Sequence, residues 1–291
     1  YILDSLLAEA AAREGADVRL GVTVAGVCLD DAGRTVGVYG HDRAGASLEI
    51  AARFVIGADG LGSRVARAVS AEVIEEQGDQ SAAQYAYFAD LPWPAIELIA
   101  ADRALAGVFP THHGQACIWV CTPSADARAA RRRATSRTEA FTAVLGHAAP
   151  ELAQRLSAGR RTSPVTGVLR NPNLVRRAHG PGWALVGDAG YHRDPITGHG
   201  LSAAYRDAEL LAVALDRALR GEVDETTALA GYQHERDRAL REVFELTCAL
   251  SAYPPVPEFV ELQKQLGQAI DTGAAELFAR PLPGERELAR I

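Results

Sequence analysis

The sequence has no methionine, although a chain of 291 residues ordinarily carries several. It opens on Tyr1, so the expectation is a piece of a longer protein or an altered chain. Cysteine is scarce: Cys28, Cys117, Cys121 and Cys248 show neither a CxxC pair nor a zinc-site rhythm with the eight histidines. A disulfide framework and a metal site are therefore not expected, and buried reduced thiols are. Cys117 and Cys121 fall four apart on one face of an expected strand, too far for an easy bridge. No apolar run approaches the length of a membrane span and no basic, apolar leader opens the chain, so a cytoplasmic protein is expected. Basic excess is absent too. The 30 Lys and Arg face 37 Asp and Glu, and the arginines are scattered among acids, which argues against nucleic acid as a partner.

What is present is a 48% hydrophobic chain, enough for one large α/β domain or two interlocked ones. Apolar periodicity predicts a helix from Tyr1 to Glu14, with Ile2, Leu3, Leu6, Leu7, Ala10 and Ala11 on one face and Gly15 ending it. Strands are expected at Val18–Leu29, Thr35–His41 and Ser47–Ile56, forming a meander. The run FVIGADGLGSRVAR, Phe54 to Arg67, reads as a buried strand turning through glycines into a short helix. From about 71 to 172 the pattern becomes a mostly antiparallel sheet: Gln84–Asp90, Glu97–Ala101, Ala104–Pro110, Gln115–Thr122 and Thr162–Leu169. A charged helical stretch, about Ala125–Leu156, interrupts it. A long helix ending near Gly221, a second at about Thr226–Ala252, a Pro-rich break and two shorter helices complete the chain.

The most informative stretch is Trp183 to Leu219, where a short apolar strand runs into Gly187-Asp188, a Pro/Gly-rich turn and a long amphipathic helix. Such a junction aims the Asp188 carboxylate at a ligand hydroxyl. Gly198 and Gly200 let amides at the helix start approach an electron-rich group closely. The polyol and ring of a flavin supply both. Asp59-Gly60 and Gly187-Asp188 each end a predicted strand, where ligands sit in open α/β folds.

With GADGLGSRVAR and GDAGYHRDPITGHGLSAAYRDA in this order and spacing, the chain resembles the flavoprotein aromatic hydroxylases, the family of p-hydroxybenzoate hydroxylase, among FAD-dependent monooxygenases and oxidoreductases. The resemblance implies a Rossmann-like FAD-binding domain interrupted by an antiparallel substrate sheet. Residues 1–70 and 173–291 would form the former and 71–172 the latter. It implies that Asp188, after Gly187, hydrogen-bonds a ribityl hydroxyl of FAD, that Pro195, Gly198 and Gly200 line the ring, and that amides around Leu201 and Ser202 face its pyrimidine end. It places Asp59, Gly60, Ser63 and Arg64 in the pyrophosphate region. The implied activity is hydroxylation of an apolar, aromatic or polyketide-like small molecule, with NADH or NADPH as transient reductant and dioxygen as oxidant. The alternative is an oxidoreductase of the same fold that inserts no oxygen, or an inactive piece.

Two departures stand out. The family's first signature, a strand followed by GxGxxG that holds the ADP half of FAD, is missing, so the expectation is an N-terminally truncated domain that binds FAD poorly or not at all in isolation. Gly190-Tyr191-His192 also replaces the family's usual Ala-His. His192, Arg193 and His199 are candidates for a direct catalytic role, each set against a supporting one. Asp59 is weighed against an ordinary turn aspartate, and Arg64 against a surface ion pair. Tyr85, Tyr87, Phe109 and Trp119 could wall a substrate pocket, but strand alternation favours packing some of them into the core. Arg128 to Arg133 reads as a solvated helix face.

Overall fold

The computed structural model describes residues 2–279. Helix α1 (Ile2–Arg13) precedes an antiparallel meander of β1 (Thr23–Leu29), β2 (Thr35–His41) and β3 (Ser47–Ala51). Next come β4 (Val55–Gly57), α2 (Arg64–Ala68), β5 (Val73–Ala89), β6 (Glu97–Ala101), β7 (Ala104–Pro110) and β8 (Ala116–Pro123). Helices α3 (Ser124–Arg133), α4 (Arg137–Ala148) and α5 (Pro150–Leu156) follow. Strands β9 (Arg160–Arg161), β10 (Thr166–Arg176), β11 (His179–Gly180), β12 (Trp183–Leu185) and β13 (Tyr191–His192) then lead to α6 (Gly200–Leu219), α7 (Glu225–Ser251) and α8 (Val256–Phe278).

The large sheet runs β13-β10-β5-β8-β7-β6 and is antiparallel in every pairing, with β9 also joined to β5. A small sheet runs β11-β12-β4, and its β12–β4 pair is parallel. Among the described residues the fold is thus α/β around that parallel pair, with a predominantly antiparallel sheet beside it, as the sequence predicts.

Several boundaries differ from the sequence reading for identifiable reasons. Residues Val18 to Val22 lie outside the meander, whose first strand begins at Thr23. The expected strand Ser47–Ile56 divides at Ala52-Arg53-Phe54, so that β3 pairs with β2 while β4 joins β12. Strand β5 starts at Val73, where polar residues conceal it, because β10 supplies partners for Val73 to Gln77. Strand β10 itself passes through Asn171-Pro172-Asn173, which the sequence reads as a connection. The register shifts on both sides of Asn171, which accommodates a proline that cannot donate to the ladder. The two short C-terminal helices are one helix as far as Phe278, because Pro257 falls in the first turn of α8, where a missing N–H costs nothing. The apolar face of α1 buries no residue, although Gly15, at φ +95°, ends that helix as expected.

The faces of the large sheet divide by residue parity. Ala86, Phe88, Ala104, Ala106, Val108, Ala116, Ile118 and Val120 are all even-numbered and pack against Phe141, Leu145 and Leu152 of α4 and α5. Tyr85, Tyr87, Phe109 and Trp119 are all odd-numbered, and the register sets Tyr85 opposite Trp119 and Tyr87 and Phe109 both opposite Cys117. All four therefore share the face away from those helices. Alternation therefore does not divide the four between two faces, yet Trp119 packs against a second buried cluster, as expected of some of them. Tyr85 and Phe109 remain 36% and 42% exposed. Rings of Phe109 and Trp119 lie 5.4 Å apart, and those of Tyr85 and Tyr87 meet edge-on at 6.1 Å.

Candidate functional site

Strands β4 and β12 are parallel and in register, with Leu185 opposite Gly57, so the chain leaves both at the same edge. Asp59 and Asp188 follow within a few residues, which brings the two Asp/Gly motifs together at the carboxyl ends of the strands.

The first motif is a self-contained turn. Gly60 has φ +76°, a conformation open to glycine, and no atom lies within 4 Å of the position a Cβ would take. The Ser63 hydroxyl donates to Asp59 Oδ1 at 2.5 Å, and the amides of Arg64 and Val65 donate to Oδ2 at 2.6 and 3.2 Å. Ser63 Oγ also accepts from the Ala66 amide, capping α2. Burial pushes the Asp59 carboxyl up, but the hydrogen bonds from Ser63, Val65 and Arg64 outweigh it and hold it below the usual carboxylate range. The Arg64 guanidinium donates to the Val24 carbonyl at 3.0 Å, which pins α2 to β1. In this geometry Asp59, Ser63 and Arg64 shape the turn, and Gly60 presents its open side.

The second motif is gripped from behind. The Gly187 amide, at φ +53°, donates to Asp207 Oδ2 of α6 at 3.0 Å, and the Tyr232 hydroxyl of α7 donates to the Leu185 carbonyl at 2.7 Å. The Val186 amide reaches the Gly57 carbonyl at 3.0 Å, and Arg176 of β10 donates through its amide to the Gly190 carbonyl and through Nη1 to the Ala189 carbonyl, each at 2.8 Å. With its backbone thus fixed, the turn leaves the Asp188 side chain exposed, and no hydrogen bond or ion pair links it to another described residue.

Asp207, Tyr232 and Arg176 escaped the sequence reading. For Asp207 a signal existed: it stands between Ala203 and Leu211 on the buried stripe of α6, a position where an acid needs a partner. Burial raises its carboxyl to about 6, against the opposing pull of Arg236 and the Gly187 amide.

After β13 the chain makes a short 3-10 turn at Pro195–Thr197 and enters α6. Pro195, Gly198, Gly200, Leu201 and Ser202 lie on its outer side, and Gly198 is left-handed at φ +70°. The cap residue of α6, His199, makes no side-chain hydrogen bond to the helix, and the first turn carries no acid. The amides at Gly200, Leu201 and Ser202 therefore retain the donor capacity and positive end of the helix dipole. Two of the three catalytic candidates, His192 and Arg193, are buried instead. The His192 ring, buried, pairs its Nδ1 with the Pro172 carbonyl at 2.5 Å. Arg193 donates to the His199 carbonyl at 3.0 Å and lies over the Tyr191 ring. His199 is half-buried, and burial together with Arg193 pushes its imidazole below the ordinary value.

The edge therefore offers one free carboxylate, glycines at 60, 198 and 200 whose missing Cβ atoms leave open space, and an uncapped helix start. This donor and acceptor set has the chemistry that the ribityl chain and pyrimidine end of a flavin would need: a carboxylate able to accept from hydroxyls, beside amides able to donate to an electron-rich oxygen or nitrogen. Among the described residues no group of three or more His, Cys, Asp or Glu is placed to hold a metal ion.

Comparison with known proteins bears on the family and the fold. The chain is 29% identical over 265 residues to digeranylgeranylglycerophospholipid reductase 1 of Methanopyrus kandleri, covering 88% of this chain and 67% of that protein. It superposes on PqsL, a probable FAD-dependent monooxygenase from Pseudomonas aeruginosa, with TM-score 0.63 and 27% identity, covering 86% of this chain and 66% of that one. PqsL is also known in complex with 2-aminobenzoylacetate. The myxobacterial chondrochloren halogenase CndH, an FAD-dependent halogenase, shares the fold at TM-score 0.73 and 24% identity, over 84% of this chain. This chain spans 57% of the length of that halogenase. The model of the FAD binding domain matches residues 2–247, and the chain accordingly belongs to the FAD-binding domain family of flavin-dependent oxidoreductases.

Proposed function

We propose that the chain serves an FAD-dependent monooxygenase reaction on an apolar, aromatic or polyketide-like small molecule, with NADH or NADPH as transient reductant. In this reading residues 1–70 and 173–291 handle the flavin and 71–172 the substrate. The observation that carries it is the aromatic face of the large sheet. Leu105, on that face, packs in one cluster with Ile196 of the Pro195–Thr197 turn, and Trp119 packs against the same cluster. The ring-facing loop of this reading and the row of Trp119, Phe109, Tyr85 and Tyr87 are thus continuous. A flat apolar substrate stacks on such a row and reaches the loop at its end.

FAD supplies the redox chemistry when bound. The residues of this chain bind, orient and exclude water. Asp188 accepts from the ribityl hydroxyls, and Gly60 leaves room for phosphate near α2. The amides of Leu201 and Ser202 stabilise negative charge at the pyrimidine end. The aromatic face keeps the substrate dry. His192 and Arg193 hold the loop in place and are assigned no proton transfer.

The aromatic 2-aminobenzoylacetate bound by PqsL supports this substrate class. A second reading, reduction of an unsaturated prenyl-type substrate, is favoured by the Methanopyrus kandleri relative, a reductase by name. Turnover under isotopically labelled dioxygen separates them, with 2-aminobenzoylacetate as the first probe. Label in the product supports monooxygenation; saturation of a prenyl probe without label supports the second reading. Asp188→Ala is expected to weaken FAD binding by about tenfold, the loss of one hydrogen bond to a charged group, measured by flavin fluorescence titration. Unchanged affinity would remove Asp188 from the cofactor site.

A further inference from the structure

Between the flavin-facing loop and the large sheet lies a buried polar cluster that the proposed function does not use. Asp194, only 1% exposed, immediately precedes Pro195. Its amide donates to Asn173 Oδ1 of β10 at 2.7 Å. The Asn173 amide group donates to Ser251 Oγ at 3.1 Å, and the Ser251 hydroxyl donates to the Cys248 carbonyl near the end of α7. Asp194 Oδ1 accepts from the Ile196 amide at 3.0 Å, which closes the 3-10 turn. The remaining oxygen, Oδ2, is buried, and the Ser81 hydroxyl of β5 is near both the Asp194 carboxyl and the Tyr253 hydroxyl. All three atoms are shielded from solvent, and none completes a well-aligned hydrogen bond among the described residues.

The position of Tyr253 is a second, independent observation. It follows α7 in the left-handed conformation, φ +53°. Helices favour glycine there because a Cβ is strained. The chain follows that rule after α1 with Gly15, φ +95°, and after α6 with Gly221, φ +75°. After α7 it keeps a tyrosine against that preference, in a conformation strained for a side chain. The phenol ring fills the cluster formed by Leu105, Ile196, Leu250, Phe259 and Leu266 and carries its hydroxyl to Ser81 and Asp194. A phenylalanine would fill that space equally well. The hydroxyl is therefore the feature to explain.

We propose that Asp194, braced by Ser81 and Tyr253, is a positioning residue that fixes the 195–200 loop against the large sheet and so sets the angle between the flavin-facing loop and the aromatic face. This reaches beyond the proposed function, because the clamp is a property of the chain whatever the loop binds. Its strength follows the protonation of one carboxyl. Burial pushes Asp194 above the ordinary carboxylate value, more than the neighbouring Ser81 hydroxyl, the Ile196 amide and His192 pull it down. The other titratable groups facing it are Cys121 of β8, Cys248 of α7 and Tyr253, all pushed upward by their own burial and by this carboxylate. His192 is the weakest of these influences on Asp194. Ionisation therefore places an incompletely compensated charge in the clamp and loosens it.

The test is amide hydrogen exchange of residues 194–200 in the whole chain, free of flavin, so that failure here and failure of the proposed function are separable. Asp194→Ala is expected to speed exchange of the Ile196 amide by about tenfold or more, the equivalent of its lost hydrogen bond. Asp194→Asn keeps an acceptor for Ile196 and places a donor toward Ser81 and Tyr253, so it should restore protection. Wild-type exchange, corrected for intrinsic chemistry, should rise with pH as the carboxyl ionises, while Asp194→Asn stays flat. Tyr253→Phe, which keeps the packing, should speed exchange several-fold. Wild-type protection in Asp194→Ala, or equal loss in Asp194→Asn and Asp194→Ala, overturns the proposal. Should Asp194→Ala not fold, wild-type protection in both Tyr253→Phe and Ser81→Ala does so.

Discussion

Asp188 and Asp207 serve the same turn yet behave oppositely, and the difference is burial. Asp188 faces solvent and is free to accept from a ligand, whereas Asp207 is fully buried and holds the Gly187 amide that precedes Asp188. Because its folded value, about 6, exceeds the unfolded carboxylate value of 3.8, the folded state binds this proton more tightly. The contribution is fully present below the unfolded value and lost as pH rises through about 6. By linkage the loss amounts to about 3 kcal/mol. Asp207→Asn should flatten that part of the stability-versus-pH curve, as read by denaturant unfolding at a series of pH values. The same slope in variant and wild type would mean that Asp207 titrates normally. Arg236, fully buried on α7, remains anchored to Asp237 and the Arg176 carbonyl in either case.

Among the elements, the turn between β11 and β12 joins more of the fold than its length suggests. The Pro181 carbonyl accepts from Thr35 of β2 and the Gly182 carbonyl from Val55 of β4, at 3.0 and 2.9 Å. The Gly182 amide donates to Glu225 at the start of α7, which also pairs with Arg34 at 2.8 Å. Gly182 is left-handed at φ +73°, and a Cβ there would collide with the Thr35 carbonyl oxygen. Gly182→Ala should therefore cost more than about 2 kcal/mol and lower the unfolding midpoint. A neutral substitution would show that meander and parallel pair are not docked through this turn. Nothing in the sequence announces that hub, since Pro-Gly there reads as an ordinary turn. The strands β2, β6 and β7 were legible because apolar residues and turn signals bracket them. The first half of β5 was not, because its polar run Glu75-Glu76-Gln77 is held by partners about a hundred residues away on β10. The exposed face of the motif, Asp188 with Gly198 and Gly200, was readable from spacing. Its buried supports, Asp207, Tyr232 and Asp194, depend on which side of a helix or turn meets which neighbour, and a single sequence does not state that.

Across the whole molecule, one apolar cluster joins the large sheet to the Pro195–Thr197 turn and the last two helices. Leu105 of β7, Ile196 of the loop, Leu250 and Tyr253 at the end of α7, and Phe259 and Leu266 of α8 pack together. Shared burial of this kind couples the unfolding of the parts it joins. The cysteines report on it from both sides. Cys121 lies on β8 and Cys248 on α7, both buried, with burial raising Cys248 to about 12 and Cys121 further. Neither forms much thiolate near neutral pH, and both are free of disulfides, so alkylation of either requires opening of the structure. Cys117, on the aromatic face and only partly buried, is raised to about 11 and should react first of the three. If the cluster makes the two halves one cooperative unit, Cys121 and Cys248 become reactive at the same denaturant concentration, as read by mass spectrometry of pulse-labelled peptides. Leu105→Ala, which removes the sheet's own contribution to the cluster, should separate the two midpoints and destabilise the protein by about 2 to 5 kcal/mol. Distinct midpoints already in the wild type would mean that the aromatic face and the 195–200 loop move independently, and the continuity on which the proposed substrate placement rests would fail with them.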